Sequence, residues 1–422
     1  MTSQVGGGRW AGGTGGVGGG RIVTGMVIPG RWRQVAAATN LLAPDGSLAP
    51  TIFAEMSALA VTTGAINLGQ GFPDTDGPQL ILDSAVDAIR GGANQYPPGR
   101  GVPALRTAVA EHQRRFYGLD LDPDTEVLIT AGATEAIAAT VLALCQPGDE
   151  VVVLEPYYDS YAASIELAGA VRRTVPLRFP DFALDADRLA AAFGPKTRMV
   201  LLNSPHNPTG RMLGRDELEL VARLAVEHDV LVVTDEVYEH LTFDGRVHLP
   251  ISALPGMAER TVTISSAGKT FSVTGWKVGW VTGPRGLVDA VTTVKQFLTY
   301  VNAGPFQPAV AQALALPDEF YGSVAATLQA GRDLLVAGLK NAGFDVRVPE
   351  GTYFVVADAA PLGCTDGLDF CRRLPELVGV VGVPMQVFCD DVQAARTLVR
   401  FACCKRPEVL REAAERLAGL RS

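Results

Sequence analysis

The 422-residue chain has no run of about 18 consecutive apolar residues, the length a membrane-spanning helix requires, because Gly, Pro or charge interrupts every apolar stretch. A soluble protein with no membrane partner is expected. Positive charge is also scarce: 36 Lys and Arg stand against 45 Asp and Glu, a formal net charge of -9. No overall positive field exists to gather phosphate backbones, which sets nucleic acid aside as a main partner. The six cysteines, at positions 145, 364, 371, 389, 403 and 404, form neither CxxC pairs nor a compact disulfide framework. They read as reduced thiols of a cytoplasmic protein without a zinc or other metal site. What is present, 47% hydrophobic against 19% charged residues, is the balance of a globular chain long enough for two or three domains.

Ten of the first twenty residues are glycine. Their backbone entropy has no buried side chains to offset it, so a disordered extension is expected over residues 1–48. A GxGxxG match at Gly13 to Gly18 has no strand before it and no helix after it, and reads as chance. The stretch from Arg21 to Ala43 has the look of an export signal, but Thr39 and Asn40 break its apolar run and no cleavage site follows. Met26 or a nearby residue is expected as an alternative start of translation.

From about Thr51 onward, short Val/Ile/Leu runs alternate with helical stretches, as in an α/β protein whose mostly parallel sheet is covered by helices on both faces. Expected strands are Val127–Thr130, Val151–Leu154, Met199–Asn203, Val230–Thr234, Val262–Ser265 and Val278–Thr282. Helices are expected at Thr134–Leu144, Arg215–His228 and Leu287–Leu298. After Leu314 a long helix and the short strands Phe344–Val348, Tyr353–Ala357 and Val399–Cys403 indicate a smaller α+β domain. The expected division is a large domain over 76–313 and a small domain over 314–422, to which the N-terminal segment 49–75 also belongs.

Chemistry concentrates where strands end. Ser265 to Trp280 is a strand running into a small-residue loop that carries Lys269. A Walker loop is excluded because Thr263 stands where its first glycine is required. The remaining readings are a Schiff-base lysine reached by a cofactor aldehyde and, equally admissible on this segment alone, a solvated loop lysine. Asp235 follows the strand Val232–Thr234, where a buried carboxylate needs a strong partner such as a pyridinium nitrogen, unless it caps a helix. The turn Asn203-Ser204-Pro205-His206-Asn207-Pro208-Thr209-Gly210 can hold Asn207 in one orientation. Asn207 and Tyr238 are both able to donate to a phenolate oxygen. At Thr130 to Ala136 a strand turns through small residues into a helix whose first amides are free to meet a phosphate, although Thr134 is also a plausible cap.

The Asn-Pro-x-Gly turn, the Asp-Glu-x-Tyr run and the Ser-x-x-Lys-x-Phe-x-x-x-Gly-x-x-x-Gly segment, in that order, resemble the class I aminotransferases of pyridoxal phosphate fold type I. The resemblance covers Ile52 to the C-terminus. The start Asn67-Leu68-Gly69-Gln70-Gly71-Phe72-Pro73-Asp74 resembles the branch that contains kynurenine/glutamine, methionine and N-succinyldiaminopimelate aminotransferases.

The resemblance implies pyridoxal 5'-phosphate bound covalently to Lys269, which would also move the substrate proton. It implies Ser266, Lys277 and the amides of Ala133 and Thr134 as phosphate ligands. Tyr158, rather than Tyr157, would stack on the cofactor ring, with core packing as the alternative role. Arg400 would fork the substrate α-carboxylate, with a buried protein ion pair as the alternative. Gly71 would close over the same carboxylate, and Tyr96 would reach the cofactor phosphate of a neighbouring subunit, implying a homodimer with shared sites. His206 reads as a turn residue. Arg100 reads as a solvated loop residue in preference to a reader of a distal substrate carboxylate. The implied activity is ping-pong exchange of an amino group between an amino acid, glutamate by default, and a 2-oxo acid. N-succinyldiaminopimelate is the first substrate expected, and kynurenine or glutamine the second. A carbon-sulfur β-lyase is the alternative on the same residues. An aminotransferase-like regulator is remote, since the glycine-rich start cannot supply a helix-turn-helix.

Overall fold

The structure, a computed structural model, describes residues 30–43 and 45–421. Seven strands form the main sheet: β1 (Val127–Thr130), β2 (Glu150–Glu155), β3 (Val171–Pro176), β4 (Thr197–Asn203), β5 (Leu231–Asp235), β6 (Thr261–Ser266) and β7 (Gly279–Thr282). Their order across the sheet is β1-β7-β6-β5-β4-β2-β3. Only β7 runs antiparallel to its neighbours, pairing with β1 and β6. The chain therefore enters β7 at the edge where the parallel strands end.

The unbroken apolar runs follow from burial on both faces. Val151, Val153, Met199, Leu201 and Val233 enter one core with the helices Gly132–Leu144 and Arg285–Lys295. Their alternating neighbours Val152, Leu154, Val200, Leu202 and Val232 enter another, shared with the small second sheet. That sheet is built on β8 (Phe354–Asp358) and β9 (Leu398–Ala402), paired antiparallel. The helix Asp318–Ala342 lies between the two sheets in sequence. The segment Ile52–Asn67 joins the second layer, since Ile66 and Asn67 pair in parallel with Val380 and Val381.

Two expectations are corrected. Within 1–48, residues 1–29, including the Gly13 to Gly18 match and Met26, lie outside the described residues, but Trp32–Ala38 is a helix and not disordered chain. Ala36 is buried, and the Arg31 guanidinium donates to the Glu166 carbonyl on the helix Asp159–Ala168. The edge strand β3 was also not expected. Its exposures alternate, with Arg172 and Arg173 in the run, so it lacks the apolar continuity of the central strands.

Behind β6 lies a buried polar network. Glu239 accepts hydrogen bonds from Ser265 Oγ and Tyr117 OH, both at 2.6 Å. The Nε2 atoms of His112 and His240 meet at 2.6 Å. Glu239 and these two histidines are the group of potential metal ligands found among the described residues, with ligand atoms within 4.8 Å of one another. Both carboxylate oxygens are engaged by hydroxyls and the imidazoles bond to each other, so the cluster is closed by its own hydrogen bonds. Alongside it, His248 Nε2 bonds Glu236 at 2.8 Å. Burial pushes the His248 imidazolium down, but attraction to Glu236, its hydrogen bond and Glu239 outweigh this and raise its pKa.

A raised folded-state value means that this pair stabilises fully below the unfolded histidine pKa of about 6.5 and loses that contribution as pH rises through the folded value. The melting-temperature gap between wild type and His248→Gln is expected to be widest near pH 6, about where an unfolded histidine begins to titrate. It should narrow toward alkaline pH; a gap independent of pH would contradict the pairing.

Candidate active site

A cavity of about 310 Å³ opens at the edge where β1, β2, β4, β5 and β6 end. This is where an open α/β sheet places its ligand. Each strand end delivers a side chain for a local reason. Asp235 is the last residue of β5 and is buried. Its Oδ2 accepts from Tyr161 OH at 2.7 Å and its Oδ1 from the Val237 amide at 3.3 Å. Burial pushes its carboxyl up to about 6 despite these donors. A cation placed against it would restore the carboxylate.

Asn203, the last residue of β4, ties this edge together. Its Nδ2 donates to the Asp235 carbonyl and its Oδ1 accepts from the Asn207 amide, both at 2.7 Å. Asn207 is thereby aimed at the cavity, and its Oδ1 accepts from Arg400 Nη1 at 3.0 Å. His206 packs inside the same turn, with Nδ1 and Thr209 Oγ1 2.7 Å apart. Burial and nearby Arg211 push its imidazole down to about 3, so it is neutral and structural.

Arg400 reaches in from β9. Its Nη2 donates to the Gly69 carbonyl at 3.3 Å, its buried Nε has no partner, and no carboxylate pairs directly with it among the described residues. Burial pushes the guanidinium down to about 10, against attraction from Tyr238, Tyr353 and Asp159. A buried cation with a free N–H is an incomplete site, which a bidentate carboxylate would complete. Gly71 must be glycine here: a Cβ would lie 2.3 Å from the Phe354 ring. Tyr353 OH donates to the Gly71 carbonyl and holds this loop down.

Lys269 stands in the short helix Ala267–Thr270 after β6, with Nζ 5.8 Å from the Tyr238 ring centre and 5.6 Å from that of Tyr353. Burial pushes its ammonium down to about 8. Arg400 and Lys277 push the same way, opposed by Cys404 and Asp235. About a tenth is therefore the free amine at pH 7, far more than for a lysine of ordinary pKa.

At the other end of the cavity sit Ser266, Lys277, Ala133 and Thr134. The helix Gly132–Leu144 points its first amides here. Glu135, which would repel an anion, folds back onto the Ala131 amide at 2.6 Å and Thr299. Gly132 has φ +74° with Lys277 packed beside it, and a Cβ on Gly279 would come within 2.6 Å of the Gly132 carbonyl carbon. The absence of side chains brings two backbones and a lysine around one small volume. Tyr158 lines the wall between the two ends, while the Tyr157 hydroxyl turns away to Asp390.

Two of the sequence candidates lie elsewhere. Tyr96 is 80% exposed, packed edge-on against Tyr300 at 5.5 Å, and reaches no part of this chain's cavity. Arg100, expected to be solvated, is instead part-buried, paired with Asp289 and bonded to the Thr125 carbonyl at 3.2 Å. The loop packs onto the helix Arg285–Lys295, which supplies the carboxylate. Phe53, Gly132, Tyr161, Asn203 and Phe354 belong to the site or its support and were not singled out as site residues from sequence. Tyr161, three residues after Tyr158 and in the first turn of the helix that Tyr158 precedes, was the one that spacing could have indicated.

The class I and II aminotransferase profile matches residues 63–417. The chain belongs to this family. It is 55% identical over 383 residues to a probable N-succinyldiaminopimelate aminotransferase, DapC, of Mycobacterium tuberculosis, covering 88% of this chain and 96% of that one. The methionine aminotransferase of Escherichia coli is 39% identical over 384 residues, with 90% and 99% covered. The solved structure of N-succinyldiaminopimelate aminotransferase from Mycobacterium tuberculosis superposes with a TM-score of 0.87 at 52% identity, over 93% of this chain and 100% of that one. The protein is thus an aminotransferase of the pyridoxal phosphate-dependent fold, and the enzyme class and cofactor expected from sequence hold.

The cavity suits that cofactor in charge and shape. An amine-bearing lysine, a carboxylic acid wanting a cation and a glycine-lined anion cradle lie along one 310 Å³ volume. Gly279→Ala is expected to weaken pyridoxal phosphate binding by about tenfold or more, because the added methyl separates the backbones of the cradle. Absorbance titration of apoenzyme would show it; affinity equal to wild type would remove the cradle from this role.

Proposed function

We propose that the enzyme transfers the amino group of glutamate, by a ping-pong route, to the 2-oxo acid partner of N-succinyldiaminopimelate. The observation carrying the amino-transfer chemistry is the pairing of a deprotonatable buried lysine with a buried arginine that lacks a carboxylate. The 55% identity to the mycobacterial relative supports the substrate. Kynurenine or glutamine is the second choice, and the homology to the methionine enzyme keeps other donors within the test.

Bound pyridoxal phosphate would supply a carbonyl for the amine and a ring that accepts electrons. Lys269 would hold it covalently, and the free amine, populated because of its lowered pKa, would remove and return the proton at the substrate α-carbon. Asp235, fixed by Tyr161, would keep the ring nitrogen protonated, while Asn207 and Tyr238 would donate to the ring oxygen. Ser266, Lys277 and the Ala133 and Thr134 amides would hold the phosphate, and Tyr158 would cover the ring. Arg400 would fork the α-carboxylate beneath Gly71.

We further propose a cytoplasmic homodimer in which Tyr96 of each copy completes the other's phosphate site. Its exposure on this chain supports that role. Sedimentation should give a dimer, and Tyr96→Phe should weaken cofactor binding by several-fold, the loss of about one hydrogen bond; a monomer of full activity would exclude it.

Glutamate added to holoenzyme without an oxo acid should yield about one 2-oxoglutarate per site and then stop, as a half-reaction requires. Lys269→Ala should abolish the turnover. Continuous release of pyruvate and ammonia from cystathionine would instead establish a β-lyase. With succinyldiaminopimelate among the donors, its rate relative to kynurenine and methionine decides the substrate.

A further inference from the structure

Tyr157 and Tyr158 are neighbours at the end of β2, yet they serve opposite directions. Tyr158 lines the cavity. Tyr157 is buried, its amide donates to the Phe388 carbonyl at 2.9 Å and its hydroxyl to Asp390 Oδ1 at 2.6 Å. Arg172, on the edge strand β3, forks the same carboxylate, Nη2 to Oδ1 at 2.7 Å and Nε to Oδ2 at 3.0 Å. Its guanidinium also lies over the Tyr157 ring at 5.1 Å. One residue on, Asp391 pairs with Arg178 at 2.9 Å and its amide meets the Glu155 carboxylate at 3.2 Å. The segment 388–391 of the second layer is therefore clamped, by backbone and side chain, to one edge of the main sheet.

That segment carries one wall of the Arg400 cage. Phe388 is fully buried, with its ring centre 4.6 Å from the Arg400 guanidinium carbon. Phe354 stands at 4.0 Å and Phe53 at 5.5 Å. A planar cation held among aromatic faces keeps its plane, and a fork of two parallel hydrogen bonds tolerates little rotation of that plane. Neither Arg172, Asp390 nor Tyr157 lines the cavity, so none of them touches a ligand there. Burial pulls the Asp390 carboxyl up, but its hydrogen bonds from Arg172 and Tyr157 outweigh this and hold it below the usual carboxylate range. It is an anion throughout the neutral range.

We infer that Arg172, Asp390 and Tyr157 form a positioning clamp that, through Phe388, orients Arg400 for the substrate carboxylate. The inference rests on the reading of Arg400 as the carboxylate ligand. It makes the large-domain turn that presents Tyr158 to the ring also responsible for the angle of the carboxylate fork, so that two ends of one substrate are set from a single turn.

The test is steady-state kinetics of the holoenzymes Asp390→Asn, Asp390→Glu, Tyr157→Phe and Arg400→Lys with glutamate as donor, together with cofactor affinity and melting temperature. Asp390→Asn is expected to raise KM for glutamate roughly tenfold, equivalent to about 1.4 kcal/mol. Its kcat should stay within about twofold and its cofactor affinity should not move, the signature of lost ground-state binding. Tyr157→Phe should act in the same direction more weakly, and Asp390→Glu should recover part of the loss. A lower melting temperature with wild-type KM in Asp390→Asn and Tyr157→Phe would mean that the cluster only stabilises the fold, and would overturn the clamp. If Arg400→Lys raises KM while both of these leave it unchanged, the clamp alone fails. If Arg400→Lys also keeps the wild-type KM, the carboxylate reading fails and the clamp with it.

Discussion

A buried guanidinium whose Nε–H lacks an acceptor is the constraint around which the site is organised. Arg400 remains charged at neutral pH although burial lowers its pKa to about 10. Its surroundings make that tolerable: a carboxamide and a carbonyl take two N–H groups, and aromatic faces take the plane. None of these supplies full negative charge. A deficit of this kind inside a protein is costly unless a ligand removes it, and that is what ties the second sheet's geometry to substrate binding.

The same argument extends along the cavity. Burial moves Lys269 toward the amine and Asp235 toward the acid, so each of the three principal ionisable groups is displaced toward its neutral form. A ligand that places a cation at Asp235 and an anion at Arg400 relieves the displacements of both. Binding free energy gained in this way is also folding free energy, since only the native chain assembles the set. Holoenzyme should therefore resist unfolding better than apoenzyme by an amount set by free cofactor concentration over its dissociation constant.

Six of the sheet's seven strands were legible because they are largely buried, and four of them, β1, β2, β4 and β5, carry consecutive Val, Ile and Leu. β3 was not, because an edge strand with Arg172 and Arg173 has the composition of a loop. The helix Trp32–Ala38 was hidden by the glycine-rich residues before it. Asp235 ends β5, and Lys269 and Asn207 follow the ends of β6 and β4 within a few residues, so local pattern located them at the sheet edge. The supports of the site were harder to read. Tyr161 contacts Asp235 across 74 positions of sequence and Tyr157 contacts Asp390 across 233, and no periodicity links such pairs. The neutral state of His206 depends on enclosure, which a turn motif does not reveal.

The reversed direction of β7 limits where this enzyme can change. Ser266 leaves the sheet at the site edge and Gly279 re-enters at that edge, so the intervening chain is anchored at both ends beside the ligand, with Lys269 and Lys277 on it. An insertion there would shift Lys269 and Lys277 together, and neither could be restored without displacing the other.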